Sequence, residues 1–517
     1  MTSFLTSFAK KVKGTLSGFD RVRFRGTLRW LANANGLGAW LHRAGVRLVD
    51  FKDYAMGLTD QIKQATCQLA QEQDRPLLYL PASSTSKEQV AQEIAERDQI
   101  TEGLVCVLTC VEPCATLSVG PNKAKKRLEV RAQNRKCLHH YFYVIDPKLG
   151  WLNVRLQTWL PFTVHIVING REWLARDLIQ KGVPFERREN CFTHIDKLAL
   201  AQKLLDRQLT TNWTRVLDRV LGAVHRSHRR LFGKDRLDYY WSADQTEWAT
   251  DLMFSDADAL DRLYPSLVRH AITTFGSEDV LRFLGKRPRV QCFTGAEIVS
   301  HLGTRPEGVR VKHALNGNSI KMYDKQESVL RVETTITDPR QMKVYRASET
   351  DPTGPKTMQK LRKGVADLNR RAEISQKSND RYVQALASVS SHTTLAEAAK
   401  PLGQKTHWHG RPARALNPLA EEDARLLEAV SRGEFALQGF RNRDLKLLLF
   451  GHSAQAKEDR KRMAKTTRLI RLLRAHGLIH KVSKTHRYVV SPHGRETLTA
   501  LLAARNAPTQ KLTELAA

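Results

Sequence analysis

The residues whose types point most directly to chemistry lie in the stretch 318–336, which reads NSIKMYDKQESVLRVETTI. It holds a phenol at Tyr323 and carboxylates at Asp324 and Glu333. An activated phenol is a nucleophile, and carboxylate oxygens are the ligands that hard cations such as Mg²⁺ prefer. A cation held by Asp324 and Glu333 would polarise a phosphate for attack by Tyr323. We therefore predict a metal-dependent strand-cleaving or transferase site, with Mg²⁺ or Mn²⁺ as the cation and these three residues as its catalytic groups.

A β-meander over 308–336 is expected to position these side chains. Asn316-Gly317 is a strong hairpin-turn signal, and a second turn is expected at 326–328. Two-residue alternation turns one apolar set inward: Val309, Val311, Ile320, Met322, Leu330, Val332 and Ile336. The open face then carries Tyr323 and Glu333 beside four cations that could neutralise phosphate: Arg310, Lys312, Lys321 and Arg331. The alternative is that Tyr323 and Glu333 are ordinary strand residues paired with these basic neighbours.

The strings KMYDK at 321–325 and LRVETT at 330–335 resemble a hairpin of rolling-circle replication initiators and related relaxases of mobile elements. In those families a tyrosine attacks DNA while carboxylates hold a divalent cation. The resemblance is confined to this short hairpin. It implies the nucleophile's role for Tyr323 and metal-ligand roles for Asp324 and Glu333.

Other sets of ligand-type residues are less well organised. Asp244, Glu247 and Asp251, with Asp146 or Glu333 added, could be the metal ligands of a transposase-type nuclease, but the sequence does not fix that grouping. Another set combines cysteines spaced by four with later ligands: Cys106, Cys110, Cys114, Cys137, His139 and His140. Zinc sites favour closer spacing, and strand residues four apart are too distant to share a metal, so we expect these cysteines in the core. The string His407-Trp408-His409 lies in a Gly- and Pro-rich stretch, which disfavours a metal site.

The C-terminal region combines a basic helix with a two-stranded ribbon. The helix is expected over 459–476 and to end at Gly477, with an apolar stripe of Met463, Leu469, Ile470, Leu472 and Leu473. Strands should follow at 478–482 and 487–490, around a basic turn at 483–485. Three further helices complete the region: 421–430, 442–450 with Asn442 as its N-cap, and 494–505.

In this order, the elements of 421–505 resemble a winged helix-turn-helix domain of MarR-type regulators. The resemblance implies that 459–476 is the recognition helix. Residues 441–500 contain 15 Lys and Arg against 4 Asp and Glu, a net charge of +11. We therefore predict DNA contacts from this region at Arg462, Lys465, Arg468, Arg471, Lys484, His486 and Arg487, with further contacts from Arg310, Lys312, Lys321 and Arg331 of the meander. The alternative is a protein-docking module with a solvated basic face.

Composition favours a polyanionic partner. The chain has 517 residues, a formal net charge of +31 and a pI near 10.0. Such a field attracts nucleic acid first and an anionic membrane surface second. No apolar run is long enough for a transmembrane helix, so we expect a cytoplasmic protein that binds double-stranded DNA and no membrane, with a homo-oligomer left open. Seven scattered cysteines do not suggest a disulfide framework: Cys67, Cys106, Cys110, Cys114, Cys137, Cys191 and Cys292.

The N-terminal half reads as strands alternating with helices. In 19–28, Val22 and Phe24 alternate with arginines, which predicts a half-buried strand with one basic face: Arg21, Arg23 and Arg25. No Gly-rich phosphate loop follows a strand. A later strand, 150–159, places two tryptophans, an arginine and two amides on one face; these could stack bases, or the tryptophans could pack under a helix, which we favour.

We therefore predict a multidomain α/β protein. Its expected parts are an α/β domain at 1–194, a helical connector at 195–287, a β-meander with basic helices at 288–400, a linker at 401–418, a winged helix at 419–506 and a tail at 507–517.

The function that fits best is that of a DNA-binding protein of a mobile element, either a replication initiator or a transposase-like enzyme. Two alternatives remain open. One is a non-catalytic winged-helix transcriptional regulator, and the other is an RNA-binding protein.

Overall fold

The structure of the chain is a computed structural model. It describes residues 1–233, 237–285, 298–305, 308–348, 351, 353–387, 399–408, 410–432, 435, 439–482 and 485–507. Cys292, His409, Ser483 and Lys484 lie outside these ranges. The fold is mixed α/β with a large mixed sheet, as predicted in outline.

The helices of the described residues are α1 (Thr2–Ser7), α2 (Ala34–Arg43), α3 (Phe51–Glu72), α4 (Lys87–Arg97), α5 (Gly170–Gln180), α6 (Leu198–Leu209), α7 (Trp213–Val224), α8 (His228–Phe232), α9 (Ala257–Thr273), α10 (Ser277–Phe283), α11 (Leu368–Leu386), α12 (Glu421–Ser431), α13 (Asn442–Phe450), α14 (Ala456–Ala475) and α15 (Pro492–Asn506).

The strands of the described residues are β1 (Val12–Thr27), β2 (Leu77–Leu80), β3 (Gly103–Asn122), β4 (Arg127–Asp146), β5 (Gly150–Gln157), β6 (Val164–Asn169), β7 (Phe185–Arg188), β8 (Cys191–Ile195), β9 (Tyr240–Phe254), β10 (Ile298–Arg305), β11 (Gly308–Leu315), β12 (Asn318–Lys325), β13 (Val329–Ile336), β14 (Lys343–Arg346), β15 (Thr357–Lys360), β16 (Thr406–Trp408), β17 (Arg411–Ala413), β18 (Ile479–Lys481) and β19 (Tyr488–Val490).

The chain divides into two compact units whose boundaries differ from the predicted ones. Unit 1 comprises Met1–Gly14, Leu252–Val332 and Lys377–Ala517, and unit 2 comprises Thr15–Asp251 and Glu333–Gln376. Each unit is therefore built from segments that are distant in sequence.

The sheet of unit 2 has the strand order β13, β9, β1, β6, β5, β4, β3, β2. β2 pairs in parallel with β3, whereas β3, β4, β5, β6 and β1 pair antiparallel in succession. Helices cover this sheet with apolar side chains that share one core with the strands, among them Trp40, Ile62, Trp173 and Leu217. Asn169 caps α5 by accepting from the backbone amides of Arg171 and Glu172, a local stop signal for β6.

β1 follows the predicted alternation. Val22 and Phe24 are 1% and 0% exposed, whereas Arg21 and Arg23 are exposed and Arg25 is half-buried. The prediction of a half-buried strand with a basic face is confirmed. In β5, Trp151 donates to Glu88 at 2.6 Å and packs against a core cluster, so the packed alternative for this tryptophan is also confirmed.

The prediction of a helical connector at 195–287 is wrong in its centre. β9 spans Tyr240–Phe254 and lies next to β1 in the sheet order. From Thr246 onwards every residue of β9 is buried. A strand covered on both faces has no polar alternation, so the two-residue pattern that reveals a surface strand is missing here.

Unit 1 contains the predicted meander, with strand order β10, β11, β12, β13. Asn316 and Gly317 form its first turn with φ of 50° and 79°, the left-handed backbone that such hairpin turns require. Gln326 and Glu327 form the second, also with positive φ. Both predicted turns are confirmed, and the predicted inward residues Ile320 and Met322 are fully buried.

The C-terminal part of unit 1, residues 399–507 as far as they are described, has its own apolar core. α14 ends before Gly477, whose φ of 69° suits glycine, and β18 and β19 pair antiparallel after it. The predicted linker 401–418 is part of this core: Leu402 and Leu416 are each 1% exposed, and β16 and β17 form a hairpin within it. Gly410, with φ of 73°, and Pro412 belong to this hairpin, so the composition that suggested a linker was misleading.

Among the described residues, the structure contains no helix that is both long enough and apolar enough to cross a bilayer.

Candidate functional site

Three carboxylates from neighbouring strands converge inside unit 2. Asp20 lies on β1, Glu247 on β9 and Glu333 on β13, and one carboxylate oxygen of each lies within 4.8 Å of the others. The three residues are 6%, 5% and 2% exposed. Buried like charges at this separation repel one another unless a cation or a proton compensates them. We name Asp20, Glu247 and Glu333 the carboxylate cluster.

Polar neighbours orient the carboxylate cluster. Asn190 Nδ2 donates to Asp20 Oδ1 at 2.8 Å, and Gln245 Nε2 donates to Glu247 Oε1 at 2.7 Å. Hydrogen bonds of this kind fix the direction of carboxylate lone pairs before a ligand arrives.

Arg21 links the carboxylate cluster to solvent. Its guanidinium lies 3.0 Å from Glu247 while its side chain is 54% exposed. Burial lowers the pKa of Arg21, but Glu247, followed by Asp20 and Glu333, more than offsets this and holds the pKa above its ordinary value. Glu247 is therefore in contact with a side chain that reaches the surface.

Arg21 is followed along β1 by two more arginines, Arg23 and Arg25. Arg25 lies opposite His165 of β6, and His165 lies 3.3 Å from Asp244 of β9. Burial raises the pKa of Asp244, but the hydrogen bond from His165 and the charges of Arg25 and Arg23 lower it to a net value below the ordinary one. The exposed side of β1 is thus cationic and suited to phosphate groups.

Three buried carboxylates form the ligand type that Mg²⁺ and Mn²⁺ prefer, so the residues fit such a cation. They share only two members with the acidic grouping that the sequence could not fix. Of that grouping, Glu247 and Glu333 meet, but three other members have separate partners: Asp244 with the imidazole of His165, Asp251 with Arg171, and Asp146 with Arg219.

The predicted open face of the meander is wrong for its central residues. Tyr323 is 9% exposed, Arg331 is 0% exposed and Glu333 is 2% exposed. Every residue of β13 is buried, because both faces of this strand are covered. The alternation did predict the apolar face correctly, but it could not show that the polar face is covered as well.

The predicted catalytic residues are divided between the two units. Tyr323 and Asp324 belong to unit 1, whereas Glu333 belongs to unit 2. In the part of the chain that the structure describes, the group of three carboxylates close enough for one cation includes Glu333 and not Asp324. Burial, followed by the charges of Glu327 and Asp261, raises the pKa of Asp324 to about 6. The charged form of Asp324 is thus disfavoured by burial and by its like-charged neighbours.

The cations predicted on the meander are less accessible than expected. Arg310, Lys312 and Lys321 are half-buried, and Lys312 lies directly opposite Lys321 between β11 and β12. Their role in nucleic-acid contacts stays a prediction.

The predicted DNA contacts of α14 divide into two kinds. Lys465, Arg468 and Arg471 are exposed, as is His486 near the ribbon. Arg462 is instead partly buried and donates to the carbonyl of Phe450 at 2.6 Å, so it joins α14 to the end of α13. Arg487 is half-buried, and Lys484 lies outside the described residues.

Sequence reasoning missed Asp20 and grouped Glu247 only as a guess. A signal for Asp20 was present: it is the one acidic residue in the basic strand 19–28. The partner strand β9 was not predicted, so nothing connected Asp20 with Glu247.

Comparisons with protein-family models, with curated proteins and with solved structures found no match for this chain.

Proposed function

We propose that this protein is a DNA-binding enzyme of a mobile genetic element that cuts or transfers DNA strands with the help of a divalent cation. The observation that carries the proposal is the carboxylate cluster, in which three neighbouring strands bring three buried carboxylates within 4.8 Å. Asp146, another buried carboxylate of unit 2, is not part of this group and pairs with Arg219. Three together favour a functional cation site.

The residues of the site would divide the work as follows. Asp20, Glu247 and Glu333 would hold the cation, which would polarise a phosphate and activate the attacking oxygen. Arg21, after leaving Glu247, would neutralise charge on the phosphate, and Arg23 and Arg25 would bind the neighbouring phosphates. The attacking oxygen, of water or of a DNA hydroxyl, gives up its proton to solvent as it bonds to phosphorus, the bond to the leaving oxygen breaks, and the leaving oxygen takes a proton from solvent.

We further propose that the C-terminal elements form a winged helix that binds duplex DNA. Supporting this are the order α12, α13, α14, β18, β19 and α15, and their separate core. The exposed cations of α14 occupy the side opposite its buried residues Ile470 and Leu473. This is the arrangement a helix needs to enter a major groove.

The test is to incubate the purified full-length protein with labelled single-stranded and duplex DNA and with RNA, with Mg²⁺, with Mn²⁺ and with a chelator. We expect binding without a cation and strand cleavage only with one. Glu333→Gln should bind as the wild type does and cut far less.

A denaturing gel of the reaction also decides the identity of the nucleophile. Because Tyr323 is buried, we expect free DNA ends rather than a protein–DNA adduct. A protein–DNA adduct that is lost in Tyr323→Phe would show that Tyr323 is the nucleophile. Binding without cleavage of any nucleic acid would instead support a non-catalytic transcriptional regulator. Cleavage or binding confined to RNA would support an RNA-binding protein.

A further inference from the structure

A second group of ligand-type residues lies on the long β3–β4 hairpin of unit 2. Cys114 on β3 and Cys137 on β4 approach to 2.8 Å between their Sγ atoms. A ring nitrogen of His139 completes a set whose ligand atoms all lie within 4.8 Å of one another. The antiparallel register places Cys114 opposite Arg135 and Cys137 opposite Glu112, so the two thiols meet diagonally across the strands.

These thiols differ from the other cysteines of the same hairpin. Cys106 and Cys110 are each 0% exposed and pack in an apolar cluster, as the sequence predicted. Cys114 and Cys137 are only partly buried, so a small ion can reach them. Neither is in that apolar cluster. Packing therefore does not account for this pair.

His139 is held in a form that can ligate a cation. Arg155 can only donate, and it lies 3.2 Å from Nε2, so Nε2 is the acceptor and Nδ1 carries the proton toward the carbonyl of Cys137. Arg155 also pairs with Glu112 at 3.0 Å, which leaves it a partner if a metal ion displaces it from the ring.

We propose that Cys114, Cys137 and His139 bind a thiophilic divalent cation, with Zn²⁺ as the expected ion. Two sulfurs and one imidazole nitrogen are a common protein donor set for zinc, and a water would take the fourth position. Binding converts both thiols to thiolates and releases two protons. The sequence argument against a metal site considered cysteines along one strand, whereas these ligands come from two adjacent strands. This site is separate from the carboxylate cluster, whose oxygen ligands suit harder cations.

The first test uses the reduced wild-type protein and Co²⁺ as a spectroscopic substitute for Zn²⁺. We expect an absorption band from thiolate-to-cobalt charge transfer, and its loss when Zn²⁺ is added. Zn²⁺ should also protect Cys114 and Cys137 from alkylation, read residue by residue by mass spectrometry. Neither readout responds to a cation at the carboxylate cluster.

Variants locate the site. Cys114→Ser and Cys137→Ser should each abolish the charge-transfer band, whereas Cys67→Ser, on α3 and also partly buried, should leave it unchanged. Circular dichroism without metal would show that the variants fold, and the protection assay needs no variant. The proposal is overturned if reduced wild-type protein gives no thiolate band, if the band survives in both serine variants, or if the pair is recovered only as a Cys114–Cys137 disulfide that binds no metal after reduction.

Discussion

Arg171 and Asp251 form an ion pair in unit 2 whose two side chains are fully buried, with 3.0 Å between their charged atoms. Removing one partner leaves the other charge buried without its oppositely charged neighbour. We expect Asp251→Ala to lower the free energy of unfolding by about 3–5 kcal/mol, measured by urea denaturation. Asp60→Ala is the matched control, because its pair with Lys63 is exposed and should contribute little. Equal effects of the two substitutions would contradict this account of the buried pair.

Asp324 gives a pH-dependent prediction. Its pKa in the folded protein is raised to about 6 from an ordinary value of 3.8. The folded state therefore binds its proton more tightly than the unfolded state does, so the stabilising contribution is complete below about pH 4 and is lost as pH rises through 6. We expect Asp324→Asn to stabilise the protein at pH 7–8 by on the order of 1 kcal/mol, since solvent screens a partly exposed group. The gain should vanish near pH 4, and a gain independent of pH would argue against the raised pKa.

At this scale the sequence predicted residue types better than residue partners. Glu333 was chosen for its place beside a tyrosine, but it meets Asp20 and Glu247 instead. These residues lie far apart in sequence and meet because of the order of strands in the sheet. Local sequence patterns such as periodicity and turn signals do not reveal that order. Burial of Tyr323 could not be predicted for the same reason, because it depends on what covers the strand.

Helix α14 is the element on which DNA recognition is proposed to depend. We expect Lys465→Ala, Arg468→Ala and Arg471→Ala to weaken binding to duplex DNA, measured by fluorescence anisotropy. A side chain that contacts a base edge should cost about 1–3 kcal/mol and relax sequence preference, whereas a phosphate contact should weaken all sequences alike.

Two controls separate recognition from folding. Arg262→Ala removes an exposed cation from α9 of the same unit and should leave affinity unchanged. Arg462→Ala should lower the thermal stability of the protein, because Arg462 bonds to the end of α13. Equal losses of affinity from Arg262→Ala and Arg468→Ala would contradict a specific role for α14 and indicate binding to a general cationic surface.

Elements with strong local signals were predictable. The 3.6-residue periodicity and Gly477 placed α14 within a few residues of its observed range, and Asn316-Gly317 placed its hairpin. β9 was not predictable by periodicity because every one of its residues from Thr246 onwards is buried. Glu247 lies on β9. Because β9 was not predicted, the carboxylate cluster was not predicted either.

At the scale of the whole molecule, the charge of +31 predicts binding that depends strongly on salt. Each phosphate neutralised on duplex DNA contributes about 0.9 to the slope of log affinity against log salt concentration. We expect a slope that corresponds to several contacts, measured by titration from low to physiological salt. A flat response would contradict nucleic acid as the partner.

Domain organisation was the least predictable property. Composition marked 401–418 as a linker, but Leu402 and Leu416 are buried in the core that follows. Each unit also joins segments that are far apart in sequence, and no composition shift marks such a junction.

The central claim is that the carboxylate cluster holds the cation for strand cleavage. Its most direct test is the rate of Mn²⁺-dependent DNA cleavage by Glu333→Gln beside the wild type, with Asp146→Asn as a control that removes a buried carboxylate outside the cluster. We expect Glu333→Gln to cut slower by on the order of 100-fold or more with unchanged DNA affinity, and Asp146→Asn to keep most of the rate. Equal cleavage by wild type and Glu333→Gln would contradict the claim.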